Sequence, residues 1–243
     1  MVNILVKERE IVVPGQELAD GMDYLPSEGA FREGDKIISS KLGLFNLDGR
    51  LIKVIPLGGK YIPKKNDTVI GRVTDVGFSG WRVDFGWAFN MNVSLKEGSR
   101  DFIPNDADLS QYYAPGDLVV AKIIKVMSSK IIDASLKMPG CRKLGTGRLI
   151  EVESSRVPRI IGKQGSMISM IKDATGCNVV VGQNGLVWIA GTDPENERKS
   201  EETIRKIENE AHSEGLTDKI SAYLNVKPRE IINERESNEN DIQ

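Results

Sequence analysis

The stretch VPRIIGKQGSMI, residues 157–168, places two glycines around a lysine and a glutamine, between an apolar step and a helical pattern. Apolar side chains after Ser166 recur at helical spacing, and Gly176 stands where such a helix would end. Backbone amides at a helix start have no intrahelical partner and favour an anion. We therefore predict that Gly162 and Gly165 let a phosphate approach the backbone, because a Cβ at either position would hold the ligand off.

The segments around this stretch predict the fold in which it lies. Residues 147–154 have strand character, and two further strands are predicted at 178–181 and 186–190. Asp193 and Pro194 predict the start of a last helix, as its N-cap and first helical residue. The predicted order is β-α-α-β-β-α.

Glycine spacing alone does not identify a site, because G-x-x-G pairs occur at 77/80, 162/165 and 182/185. The pair at 162/165 differs in lying between a helical turn and a longer helix, with a cation in its gap. The alternative is that these glycines merely turn the chain between two helices. The spacing does not fit a Walker-type phosphate loop or a dinucleotide site.

The rest of the chain predicts a multidomain α+β protein. Residues 1–65 have short strands and turn signals, which indicate a small all-β domain. Residues 66–138 hold five β-rich segments with glycines at the bends, which suits a closed five-stranded barrel. The β-α-α-β-β-α domain spans 139–215, and 216–243 is predicted to be a short helix followed by an acidic, disordered end.

The net charge of -2 would argue against a nucleic-acid partner if it were spread evenly. Lys plus Arg against Asp plus Glu number 10 and 9 in residues 1–65, 8 and 9 in 66–138, 7 and 3 in 139–192, and 8 and 14 in 193–243. The glycine pair at 162/165 thus lies in the clearly basic segment.

Composition indicates a cytoplasmic protein. No run of 18 apolar residues occurs, and the N-terminal stretch turns charged by its seventh residue, so we expect no membrane span and no signal peptide. The two cysteines have no spacing that suits zinc and are expected to be thiols.

Sequence patterns of catalysis and metal binding are missing. His212, the one histidine, lies in an acidic helical segment, and no H-x-H, HExxH or nucleophile elbow occurs. The carboxylates that could hold a metal are Asp101, Asp106 and Asp108, for which a solvated or partner-facing loop is the alternative. We expect no enzyme activity, no cofactor and no bound metal.

The β-α-α-β-β-α unit with its glycine pair resembles the KH domain, whose loop holds the backbone of about four nucleotides of single-stranded RNA. The candidates here are the glycines, the nearby polar and charged side chains, and an apolar floor for bases. They are Arg159, Ile160, Ile161, Gly162, Lys163, Gln164, Gly165 and Ile168.

The barrel segment resembles the S-one type of OB-fold RNA-binding domain in its Gly71-Arg72-Val73, its aromatic-rich stretch 78–89, its Pro115-Gly116-Asp117 and its Ser135-Leu136-Lys137. Alternation places Trp81, Val83 and Phe85 on one face, which favours the core. Phe78 and Trp81, beside the loop at 77–80, are nevertheless the candidates for stacking on bases. Cations that could follow a phosphate backbone, or be ordinary solvated residues, are Arg72, Arg82, Lys122, Lys125 and Lys130.

The domain order, all-β then S-one then KH, covers essentially the whole chain and resembles the RNA-binding cap subunit of the archaeal exosome, the ribosomal-RNA-processing protein four family. Polynucleotide phosphorylases carry both modules in the reverse order, behind a large catalytic body. In the cap family, a Gly-x-Asn-Gly turn packs the KH domain on its neighbour. Gly182, Asn184 and Gly185 match that turn, and a plain hairpin turn is the alternative.

The resemblance implies a noncatalytic subunit, three copies of which sit on a hexameric ring of phosphorolytic exoribonuclease subunits. The S-one and KH surfaces would gather single-stranded RNA for the ring, on which the N-terminal β domain would dock. Two alternatives are a scaffold of the ring with little RNA contact and an autonomous transcription or translation factor.

Overall fold

The computed structural model describes residues 3–104, 106–211, 213 and 215–226. His212 and the acidic end at 227–243, on which two of the expectations fall, lie outside these ranges. The chain divides into two compact units, residues 1–60 and 61–243. The predicted fold class is confirmed, with an all-β N-terminal domain, a closed five-stranded barrel and a β-α-α-β-β-α domain. The domain boundaries at 65, 138 and 215 stay predictions.

The first unit consists of two four-stranded sheets. Their strands are β1 (Asn3–Ile4), β2 (Ile11–Val12), β3 (Glu17–Asp20), β4 (Leu25–Pro26), β5 (Ala30–Glu33), β6 (Lys36–Ser39), β7 (Gly43–Asp48) and β8 (Leu51–Pro56). The strand orders are β1-β3-β6-β5 and β2-β7-β8-β4. Alternation along β6, β7 and β8 directs Ile37, Phe45 and Ile52 into a common buried core.

The barrel is built from β9 (Thr68–Gly77), β10 (Gly80–Asp84), β11 (Met91–Ser94), β12 (Leu118–Val126) and β13 (Ile132–Ser135), with α1 (Leu95–Gly98) after β11. It closes because β12 pairs with both β9 and β13, while β13 pairs in parallel with β11. A further strand, β14 (Arg142–Leu144), extends β12 at its edge. Val69, Val73 and Val83 are among the apolar side chains that fill the interior.

The C-terminal domain has the predicted order. Its elements are β15 (Arg148–Glu151), α2 (Val157–Ile161), α3 (Ser166–Thr175), β16 (Asn178–Val181), β17 (Leu186–Ala190), α4 (Pro194–Asn209) and α5 (Leu216–Leu224). The sheet order is β15-β17-β16. Asp193 caps α4 as predicted, since its carboxylate accepts the Glu195 amide at 3.0 Å. Apolar side chains of α5, including Ile220, belong to the same core as those of α3 and α4.

The turn between β16 and β17, residues 182–185, attaches this domain to the barrel, and we refer to it as the junction turn. The Asn184 side chain accepts the Ile70 amide at 3.2 Å, and its Nδ2 donates to the Ile70 and Phe85 carbonyls at 2.8 Å each. The Gln183 amide donates to the Thr68 carbonyl at 2.8 Å. These contacts exceed what a plain hairpin turn needs, so the turn carries part of the interface.

Apolar packing completes this interface. Ile70 and Val120 of the barrel, Leu144 of β14 and Trp188 of β17 form one buried cluster. Neighbouring residues of β9 thus belong to two different cores, because Val69 points into the barrel and Ile70 points towards the C-terminal domain. A Cβ on Gly182 would lie 2.9 Å from the Ile70 nitrogen, so this glycine permits the close approach.

We predict that Asn184→Ala lowers the free energy of unfolding by about 2 kcal/mol, because it leaves buried backbone groups of Ile70 and Phe85 without partners. Urea unfolding followed by circular dichroism measures the change. Gln183→Ala is the matched control, since its side chain has no hydrogen bond to any residue in the described ranges. Equal losses for the two variants would contradict the role given to Asn184.

Candidate nucleic-acid interface

The glycine loop, residues 162–165, joins α2 to α3 through residues in left-handed backbone conformations. The φ angles are +75° at Gly162, +52° at Gln164 and +79° at Gly165. A Cβ on Gly162 would lie 2.7 Å from the backbone nitrogen of Met167, whereas one on Gly165 would have only Ile168 nearby, at 3.8 Å. Packing against Met167 therefore requires glycine at position 162, in addition to the predicted approach of a ligand. The space beside Gly165 is open.

Hydrogen bonds within the loop decide which amides could meet an anion. The prediction of unpaired amides at the start of α3 is wrong for Ser166, whose N–H donates to the Lys163 carbonyl. The Gly165 amide donates to the Gly162 carbonyl at 3.2 Å. Among the residues that the structure describes, none accepts from the amides of Lys163 and Gln164. A phosphate would therefore meet these two N–H groups.

The side chains around the glycine loop supply charge and apolar surface. Arg159, Lys163 and Gln164 are exposed, while Ile161 and Ile168 are half-buried at the edge of the core. Ile160 is fully buried, so the prediction that bases lie on Ile160 is wrong. The helical turn of α2 directs it inward, and the apolar floor is limited to side chains that remain partly exposed.

A row of polar side chains crosses the barrel surface. Register places Asp75 opposite Arg82, Arg82 opposite Asn92, Asn92 opposite Asp133, and Asp133 opposite Lys125. Directly opposed residues share a face of a sheet. Asp75, Arg82, Asn92 and Asp133 line a groove of about 520 Å³, which we refer to as the barrel groove.

Sequence reasoning found only part of this row. Arg82 and Lys125 were candidates, and the structure places them in this row with Asn92 and Asp133 between them. Asn92, Asp75 and Asp133 were missed, because single polar residues at outward strand positions look like solvated surface. Their two carboxylates offset the two cations, so the row favours base edges over phosphates.

Trp81 does not lie on the surface, and the prediction that it stacks on a base is wrong. Its side chain is 1% exposed, and its Nε1 donates to the carbonyls of Leu109 at 3.2 Å and Tyr113 at 3.1 Å. The alternation along β10 that favours a core position for Trp81 outweighs the open glycines beside it.

Phe78 is fully exposed and lines a second groove of about 510 Å³, which Asp106 and Asp108 also line. Phe102 is also 88% exposed, and sequence reasoning missed it because an isolated aromatic in a polar loop belongs to no pattern. Both rings offer the flat apolar surface on which an unpaired base stacks.

The remaining candidate cations do not line the barrel groove. Arg72 donates to the Gly116 carbonyl at 3.2 Å, and Lys130 occupies a turn with φ +66°. Lys122 is half-buried beside Cys141, and burial raises the pKa of that thiol. Contact between these cations and RNA stays a prediction.

One carboxylate of the candidate metal cluster, Asp108, has hydrogen-bond partners within its own loop. Hydrogen bonds from the hydroxyl and amide of Ser110 lower the pKa of Asp108, which caps a short 3-10 turn. Within the described ranges, no group of three or more His, Cys, Asp or Glu side chains could hold a metal ion.

In the same ranges, no helix is long and apolar enough to cross a membrane.

The chain joins a closed barrel, which carries an exposed polar row, to a β-α-α-β-β-α domain whose glycine loop precedes a helix. These two modules define a protein of the OB-fold and KH class. The family model of the KH domain matches residues 147–206, and that of the Exosome RNA binding protein RRP4 N-terminal domain matches residues 9–58. The resemblance stated from the sequence is confirmed by relatives: this chain belongs to the Rrp4 family of exosome complex components.

Two of these relatives are the exosome complex components Rrp4 of Methanothermus fervidus and Pyrococcus furiosus. The first is 42% identical over 225 residues, which cover 91% of this chain and 97% of the relative. The second is 41% identical over 251 residues, which cover 100% and 95%. A crystal structure assigned as an exosome complex RNA-binding protein superposes with a TM-score of 0.59 at 27% identity, over 69% of this chain and 96% of that one.

We predict that Phe78→Ala weakens binding of single-stranded RNA by about 1 to 3 kcal/mol without changing stability, because it removes a stacking surface from an exposed position. Fluorescence anisotropy with a labelled oligonucleotide measures the affinity. Phe31→Ala, which removes a 44% exposed ring from the first unit, is the control. Trp81→Ala should instead lower the free energy of unfolding by about 3 to 5 kcal/mol. Unchanged affinity in folded Phe78→Ala would exclude stacking there.

A second variant tests the glycine loop. Aspartate at Gly162 would clash with Met167, so loss of binding there would not separate binding from folding. Lys163→Asp with Gln164→Asp changes only exposed side chains. We expect it to weaken RNA binding and to make the salt dependence of the affinity shallower, because fewer phosphates are contacted.

The matched control for this variant is Thr217→Asp with Lys219→Asp, which makes the same change in charge at exposed positions of α5. Anisotropy titrations at several salt concentrations compare the two. Equal weakening would mean that total charge, and not the loop, controls the affinity.

Proposed function

We propose that this chain is a noncatalytic cap subunit of the exosome, which captures single-stranded RNA and delivers it to a phosphorolytic 3'-5' exoribonuclease ring for degradation and processing. The observation that carries this function is the glycine loop. The amides of Lys163 and Gln164, which have no acceptor among the described residues, precede α3, and the side chains of Arg159 and Lys163 are exposed. The relatives of this chain are named exosome complex components, which supports a place in that complex.

The two surfaces would bind different parts of the RNA. The glycine loop offers N–H donors and cations, which suit phosphates. The barrel offers Phe78 for stacking and a polar row with compensated charge, which suits bases. Each contact alone is weak. Three copies around one axis would raise the local concentration of sites and hence the total affinity.

The N-terminal unit would dock on the hexameric ring. This unit exposes several large apolar side chains, among them Ile11, Val13 and Leu42, each more than half exposed. Exposed apolar side chains support an interaction surface when they are grouped, and these three lie on or directly beside the paired strands β2 and β7. We place the assembly in the cytoplasm.

A scaffold that holds the ring together and scarcely touches RNA is the second candidate function. The polar row on the barrel favours it, since Asp75 and Asp133 would repel a phosphate backbone as strongly as Arg82 and Lys125 attract it. An autonomous transcription or translation factor would not need the N-terminal unit.

The decisive experiment reconstitutes the ring with and without this chain and measures RNA affinity at several salt concentrations. We expect co-purification with the ring subunits and a tighter complex with RNA. The slope of log affinity against log salt should steepen by about 0.7 for each added phosphate contact. Co-purification with unchanged RNA affinity would favour the scaffold, and absence of co-purification would favour the autonomous factor.

A further inference from the structure

The junction turn contains the Asn-Gly dipeptide of this chain, Asn184-Gly185, which occurs nowhere else in the sequence. Asparagine before glycine is chemically labile, because glycine has no side chain to hinder attack of its backbone nitrogen on the asparagine Cγ. This lability is among the reasons that heat-stable proteins contain fewer asparagines. The position of such a dipeptide in a structural turn is therefore informative.

In the folded chain, both reacting groups of this dipeptide are engaged elsewhere. The Asn184 carboxamide makes three hydrogen bonds to the barrel, at 3.2, 2.8 and 2.8 Å. The Gly185 amide donates to the Gly182 carbonyl at 3.1 Å, with φ at +86°. Cyclisation requires the Asn184 Cγ to leave the barrel and approach the Gly185 nitrogen. The closed junction opposes this movement.

We propose that Asn184 is a deamidation site that the closed barrel–KH junction protects, and that its conversion to an acid releases the junction. The Gly185 nitrogen loses its proton and forms a bond to Cγ, and Nδ2 leaves as ammonia. Water then opens the resulting succinimide to aspartate or isoaspartate. Water is the co-reactant, and no oxidant is needed.

Conversion of Asn184 to an acid removes hydrogen-bond donors from the junction and adds none. A carboxylate accepts but does not donate, so the carbonyls of Ile70 and Phe85 lose their shared donor. The new negative charge then lies against two carbonyl oxygens. Because hydrolysis is irreversible, a chain that opens once for long enough would not regain the closed junction.

The test compares three full-length chains in which Asn184 and Gly185 are unchanged. Ile70→Ala removes apolar contacts at the junction, and Val69→Ala removes a neighbouring side chain from the barrel core, which makes it the matched control. All three are incubated at mildly alkaline pH, and deamidation at Asn184 is measured by peptide mass spectrometry. A urea-unfolded sample gives the unprotected rate.

We expect the native chain to deamidate far more slowly than the unfolded sample, and Ile70→Ala to deamidate several-fold faster than Val69→Ala. The proposal is overturned if the native and unfolded chains react at the same rate, or if Ile70→Ala is no faster than Val69→Ala.

Asn184→Asp tests the consequence of conversion. Hydrogen exchange of the Gln183 amide, which donates to the Thr68 carbonyl, reports on closure of the junction. We expect exchange about tenfold faster than in the native chain, while the Gly176 amide, bonded within its own domain to Lys172, stays protected. Unchanged exchange at Gln183 would refute release of the junction.

Discussion

The hydrogen bonds of Asn184 to the backbone of β9 and to Phe85 are the constraint on which the arrangement of the two C-terminal modules depends. One side chain satisfies a donor and two acceptors on the barrel, and Ile70, whose backbone it bonds, belongs to the buried apolar cluster of the same interface. An unpaired polar group at a buried interface costs free energy, so these hydrogen bonds favour one relative position of the modules in addition to stabilising it. A purely apolar contact would permit sliding.

In the proposed function this fixed position matters, because neither module alone offers both phosphate contacts and base contacts. The glycine loop has exposed cations and two amides without an acceptor among the described residues. Its apolar surface is small, since Ile160 is buried while Ile161 and Ile168 are partly exposed. The barrel has exposed Phe78 and a polar row whose charges compensate. In the proposed function, phosphate contacts and base contacts would be divided between the two modules, and the junction turn would set the spacing between them.

Much of the fold could be predicted from the sequence, because local signals agree with one another. Helical periodicity after Ser166, a glycine stop at Gly176 and the Asp193-Pro194 cap each determine a boundary of the β-α-α-β-β-α domain by short-range physics. The positions of single side chains were harder to predict. Trp81 and Ile160 were candidates for contact with bases, because of the glycines beside Trp81 and the cations near Ile160. Strand alternation, which already favoured the core for Trp81, and helical phase direct both side chains inward. Phe102 and Asn92 carried no local signal, since their exposure and grouping arise only from tertiary packing.

Prediction from the sequence was also limited for the backbone hydrogen bonds of the glycine loop. Sequence places free amides at a helix start, yet the Ser166 amide is used by a 3-10 turn that the left-handed Gln164 makes possible. A non-glycine residue at positive φ costs energy, which the surrounding structure must offset. In this loop the strained residue is one of the two whose amides have no partner among the described residues. The strain at Gln164 and the unpaired donors therefore have one origin: a backbone turned outward at the point where an anion can approach.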